Sequence, residues 1–222
     1  MARSEWVPDD VMERILGAMM PANRLAVEVS LATGLRISDV LALDTETVQR
    51  TQRPYIRDSK TGKTHRVYIP TRLHGRMLAQ AGRWWVWPHR TDAKRHRTRQ
   101  AVYKDMGMAV EVVKRAGWVD KQAQISPHSA RKVAAVRAYK RKGFAGAQQL
   151  LVHDAEHPAV TLLYALADQV PPDRRPRSRR RKRRSCAKST RSPQSGHCKQ
   201  GSGASISCDL VRQGHPAHRS PI

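Results

Sequence analysis

The sequence predicts a mainly helical domain carrying one small antiparallel sheet, an α+β fold, followed by a basic tail with no core of its own. Three observations predict it. Apolar residues recur at helical spacing through most of residues 1–170. One segment, PYIRDSKTGKTHRVYIP, switches to alternation around a turn signal. From Pro171 onward the chain becomes basic and polar, a composition that cannot bury a core and is expected to be disordered unless a polyanion orders it.

The elements follow in order. Pro8 and DDVMERILGAM begin a helix with acids in its first turn, where the helix dipole favours them. ANRLAVEVSLATG forms a second, with Leu25, Val29 and Ala32 at helical spacing and Gly34 as its C-cap. RISDVLALD adds a turn or two, with Ile37, Val40 and Leu41 on one side. Tyr55–Arg57 and Arg66–Ile69 are strands, and Thr61-Gly62 between lysines is their turn. TRLHGRMLAQAG returns to helical patterning, and RWWVWPHR is an apolar strand or buried loop ending at Pro88. A long amphipathic helix follows, with Val102, Met106, Ala109 and Val113 inward and Gly117 at its end. Ser126-Pro127 is an N-cap and first-position pair opening a helix that ends at Gly143. AGAQQLLVHDAEH and PAVTLLYALADQV, the latter starting at Pro158, complete the set.

The 222 residues carry a formal net charge of +24, and a charge of that size and sign points to a polyanionic partner, nucleic acid first. Fourteen Lys and Arg against two acids lie from Pro171 onward, so half of that charge, +12, belongs to the tail and half to the body. RRPRSRRRKRRS is its densest run, read either as a nucleic-acid-binding arm or as a non-specific basic tail. Aromatic content of 5% is too low for a protein that binds single strands by stacking. No run is long and apolar enough for a membrane span and no signal peptide opens the chain, so a cytoplasmic protein is expected. Cys186, Cys198 and Cys208 lack zinc-site spacing and are read as free thiols; no metal or cofactor is expected.

Four segments in order carry a resemblance. ATGLRISDVLAL resembles the first arginine box of the tyrosine recombinases, or phage-type integrases; SKTGKTHRVYIP resembles their β-hairpin lysine segment. PHSARK matches their His-x-x-Arg box, and LVHDAEHPAVTLLYALAD their closing segment with a histidine and then the tyrosine nucleophile. Together they cover about Trp6 to Val170. The resemblance implies metal-free transesterification on double-stranded DNA through a 3′-phosphotyrosyl link. Charge gathering on the non-bridging oxygens suits bidentate guanidinium groups, by the match Arg36 and Arg131. Lys60 corresponds to the lysine that protonates the leaving 5′-oxygen from a mobile hairpin, with Lys63 a close competitor. His128 corresponds to the histidine placed for proton transfer or phosphate contact, His153 to the one that hydrogen-bonds the phosphate, and Tyr164 to the nucleophile. Asp39 sits where the family has an acid that orients the site. The other tyrosines, at 55, 68, 103 and 139, fall in strands or in helices where packing is the expected role.

Two departures stand out. Eleven residues separate His153 from Tyr164, more than the family spacing, while His157 is too close; a short insertion in DAEH reconciles them. The Arg36 box also arrives early, with no room for the helical N-terminal domain that clamps the far face of DNA. Residues 1–170 are thus expected to be a catalytic domain alone, natural or truncated, with 171–222 its tail. A separate clamp or accessory protein would complete the grip, and the family precedent is a homo-tetramer on paired sites. The rivals are a non-catalytic DNA-binding remnant or regulator with the same fold, and a nucleic-acid chaperone acting through the tail. A type IB topoisomerase shares the chemistry but fits the short chain and GLRISDV less well.

Overall fold

The computed structural model describes residues 4–152 and 158–169. Helix α1 (Asp9–Gly17) opens at Pro8 with Asp9 and Asp10 in its first turn, and buries Val11, Met12, Ile15 and Leu16. Helix α2 (Pro21–Thr33) has Pro21 at its start, where a missing N–H costs nothing, and buries Leu25, Ala26, Val27 and Val29. Ala32, expected on that inner face, is exposed instead. Two short helices follow: α3 (Ile37–Leu41), and α4 (Thr45–Arg50), whose N-cap Asp44 accepts the Thr47 amide at 2.6 Å. The second of these has no counterpart in the sequence reading.

Strands β1 (Tyr55–Arg57) and β2 (Thr64–Arg66) pair antiparallel, Tyr55 opposite Arg66 and Ile56 opposite His65. The strand expected at Arg66–Ile69 thus lies earlier, sharing only Arg66 with β2, and past Arg66 the pairing is one-sided: the Val67 and Ile69 amides donate to the carbonyls of Pro54 and Gln52 at 3.0 and 2.9 Å. Pro54 has no N–H to return, so the regular ladder stops there. After α5 (Thr71–Gln80), the Trp-rich segment is a buried loop rather than a strand. Val86 and Trp87 lie in the core, and the Trp87 indole donates to the Ala22 carbonyl at 2.9 Å.

Helix α6 (Arg99–Arg115) is capped by Thr98 and buries Val102, Met106, Ala109 and Val113, as its periodicity predicts; Gly117 then takes φ +77°. Helix α7 (Pro127–Leu151) starts in a capping box of Ser126 and Ser129 and is interrupted at Gly143, with φ 66° and ψ −163°. The sequence reading ended a helix at that glycine; the chain turns there and resumes helix at once. Helix α8 (Pro158–Ala165) buries Thr161 and Ala165, and Lys140 of α7 pairs with Asp168 just beyond it at 2.7 Å.

One apolar core joins α1, α2, α3, α6 and the first arm of α7, with Ile15, Val27, Val40, Met106 and Val133 fully buried. Each such side chain contributes about 1.5–3 kcal/mol by leaving water. Among the described residues no helix is long and apolar enough to cross a membrane. The basic tail and its three cysteines lie outside the described residues.

Candidate active site

The turn between α2 and α3 shows why an arginine follows Thr-Gly-Leu. Gly34 adopts φ +73°, which other residues reach only with strain, and a Cβ there would sit 2.7 Å from Leu150 Cγ of α7. The Ser30 hydroxyl donates to the Leu35 carbonyl at 2.7 Å, and Leu35 is buried, so the chain is held on both sides of the turn. Arg36 then serves as the N-cap of α3, its side chain mostly covered and paired with Asp58. Gly34→Ala is expected to lower stability by about 1–3 kcal/mol, a shift of the urea midpoint without a change of slope.

The Ser126 cap fixes the first turn of α7, and the three-residue spacing of His128 and Arg131 puts both on one face of it. Arg131 is 3% exposed. Its guanidinium donates to two main-chain carbonyls, Gly34 at 2.5 Å and Leu151 at 2.9 Å, and among the described residues it has no carboxylate partner. Burial, then repulsion from Arg36, pushes its pKa down to about 10. Two guanidinium groups thus act on each other, and only one of them, Arg36, is ion-paired among the described residues; an anion between them would relieve the repulsion. Tyr164 of α8 completes the group, its ring centroid 5.9 Å from the Arg131 guanidinium carbon.

His128 keeps surface in water, yet it packs between α6 and α7, edge-on to Tyr103 with centroids 6.4 Å apart. Burial first, then Arg131, Arg36, Arg99 and Lys132, hold its imidazole below the ordinary histidine value, so it is neutral near pH 7. Tyr103, read as a packing residue, is half-buried against the core but also faces this site. It lines a cavity of about 510 Å³ beside His128, together with Arg99, Gln100 and Ser126.

The hairpin brings in the remaining groups. Lys60 and Lys63 are both exposed on its turn. Asp39 is buried on α3 and accepts the Ser59 amide at 3.3 Å, which ties the turn to the arginine helix. Asp58 was not foreseen: it pairs with Arg36 and is 4% exposed. Burial would raise its carboxyl, but the Thr61 and Lys60 amides and the Arg36 guanidinium overcome that and hold it at about 2. A depressed carboxylate stabilises the fold above its unfolded pKa and loses that contribution as pH falls through the folded value. The stability gap between wild type and Asp58→Asn, about 2 kcal/mol at neutral pH, is therefore expected to close between about pH 4 and pH 2 in urea titrations. His65 of β2 feels the same carboxylates, but burial dominates and lowers its pKa.

Arg36, His128, Arg131 and Tyr164 are thus gathered, with Asp39 beneath and Lys60 on the adjoining turn; His153 and its alternative His157 lie outside the described residues. Among those residues no group of three or more His, Cys, Asp or Glu is placed to hold a metal ion.

The profile of the phage integrase family matches residues 5–168. No curated protein matches the sequence. Among solved structures, lambda integrase residues 75–356, a dimer bound to a COC′ core site, superposes with TM-score 0.60 at 19% identity over 74% of this chain. XerA recombinase gives 0.55 at 18% over 72%. The catalytic domain of bacteriophage HP1 integrase gives 0.52 at 20% over 74%. The chain spans 60% of that lambda chain and 58% of XerA, against 89% of the HP1 catalytic domain. At these identities the likeness is one of fold.

Proposed function

The chain belongs to the phage integrase family, and from that premise we propose that residues 1–170 are a tyrosine recombinase catalytic domain that cuts and rejoins double-stranded DNA. The reading rests above all on one observation: Arg131 is buried and, among the described residues, bonds only main-chain carbonyls rather than a carboxylate, although Asp58 and Asp39 lie near enough to act on it. It sits beside Arg36, with its guanidinium carbon 5.9 Å from the Tyr164 ring centroid. A phosphodiester seated between the guanidinium groups would give Arg131 a direct anionic partner and add to the charge that Asp58 already gives Arg36.

In this reaction the Tyr164 hydroxyl attacks the phosphorus and the phosphorus–O5′ bond breaks. Neutral His128 takes the phenol proton, and Lys60 protonates the departing 5′-oxygen. Arg36 and Arg131 stabilise the charge that grows on the non-bridging oxygens. The reverse attack by a 5′-hydroxyl of another strand restores the backbone. Arg53 over Tyr68 and Arg66 over Tyr55, 5.3 and 5.6 Å from the ring centroids, extend a basic surface along the exposed face of the hairpin, suited to flanking phosphates. Site-specific integration or excision within the cytoplasm, by copies assembled on paired sites, follows from the same reading.

The test is covalent capture on nicked suicide duplexes drawn from the element's ends. An SDS-resistant, protease-sensitive band on a denaturing gel is the expected result. Gel-shift binding with no such band, even with a clamp domain added in trans, would instead support a non-catalytic DNA-binding role.

A further inference from the structure

Resting on the recombinase reading, we propose that Asp58 is a positioning residue that joins the Lys60 turn and the Arg36 guanidinium into one unit. Its two carboxylate oxygens are divided between them. Oδ1 accepts the amides of Lys60 at 2.8 Å and Thr61 at 2.9 Å, and Oδ2 accepts from Arg36 Nη1. Its own main chain closes the same turn: the Asp58 amide donates to the Lys63 carbonyl and the Gly62 amide to the Asp58 carbonyl, both at 2.9 Å.

An aspartate that only shapes a turn needs one oxygen and stays in water. Here the second oxygen points back to a residue 22 positions earlier, and the side chain is withdrawn from solvent. Carboxylate bonds to three donors offset that burial, so the group stays charged at any working pH. Arg36 Nη1 is thereby occupied, and no other hydrogen bond to this guanidinium is present among the described residues. One edge of the fork is anchored, and the other is left for a ligand.

The chemistry gives this link a purpose. Arg36 must meet the non-bridging oxygens while Lys60 meets the bridging 5′-oxygen of the same phosphate. Those two side chains lie 24 positions apart on different elements, and each slackens independently unless something spans them. Asp58 spans them directly, and the Asp39 bond to the Ser59 amide braces the turn from the other side.

The experiment uses the full chain at saturating DNA and follows single-turnover covalent capture. Two nicked duplexes are compared: one with the natural 5′-oxygen leaving group, one with sulfur at that bridging position. A thiolate departs without being protonated, so the sulfur duplex bypasses the acid. Asp58→Ala is expected to slow the oxygen duplex about 100-fold, and the sulfur duplex by about tenfold or less. Asp58→Asn, which keeps an acceptor for the turn amides, should fall between wild type and Asp58→Ala and guards against misfolding of the alanine variant. An unchanged rate for Asp58→Ala on oxygen would overturn the role. So would an equal loss on both duplexes, because the defect would then bypass Lys60. Wild-type protein inert on both duplexes would sink the recombinase reading itself, and this role with it.

Discussion

Tyr164→Phe is expected to reduce covalent capture by about 10⁴-fold or more, the scale on which removing an enzyme's nucleophile acts. Phenylalanine keeps the ring that packs 5.9 Å from Arg131 and deletes only the hydroxyl, so DNA binding by gel shift and the thermal midpoint should stay near wild type. Tyr103 is the control, because it is the tyrosine whose ring lies edge-on to His128. Its phenol is raised above the ordinary tyrosine value, first by burial and in spite of Arg99 and the Ser126 hydrogen bond, a shift unfavourable for a nucleophile. If the band survives at Tyr164→Phe and vanishes at Tyr103→Phe, the assignment moves to Tyr103.

Arg131→Met carries the second large effect, and its interest lies in a contrast. Holding this guanidinium at about 10, well below its ordinary value, corresponds to about 3 kcal/mol against the charged form in the fold. Methionine removes that burden and fills much of the space, but it strands the Gly34 and Leu151 carbonyls, a loss of about 2–3 kcal/mol. The opposing terms nearly cancel, so urea denaturation should shift by no more than about 1 kcal/mol. Catalysis has no such compensation and should fall at least about 10³-fold. Sulfate or DNA should raise the melting temperature of wild type and not of Arg131→Met. A variant that simply unfolds would show that the arginine is a structural strut rather than an anion seat.

Much of this was legible in the residues. Ser126-Pro127 and Thr98 mark helix starts because capping is local chemistry, and Gly34 marks a turn because φ +73° has few other tenants. The inward faces of α6 and α3 follow from period alone. Other features were hidden because they depend on distance along the chain. Asp58 in RDSKTGK reads as an ordinary turn aspartate, and nothing nearby announces that its second oxygen meets Arg36. Helix α4, six residues long, is too short for a period to show, and only its Asp44 cap hinted at it. Tyr103 was correctly read as packing, but a helix pattern does not say which neighbour lies beyond the core. The second strand was expected at Arg66–Ile69 but lies at Thr64–Arg66, because the apolar alternation runs on opposite Pro54, which has no N–H to pair, while the polar Thr64 and His65 give no such pattern.

The interruption at Gly143 has a geometric consequence. Arg131 and Leu151 are 20 residues apart, and a straight helix of that length would separate them by about 30 Å, far beyond any side chain. Yet the guanidinium reaches the Leu151 carbonyl at 2.9 Å, because the chain doubles back between them. Arg131 is therefore a clasp, closing a loop whose far end leads into the segment carrying Tyr164. Any anion meeting that guanidinium would touch, through one side chain, both the Gly34 turn and the far arm of the bent helix.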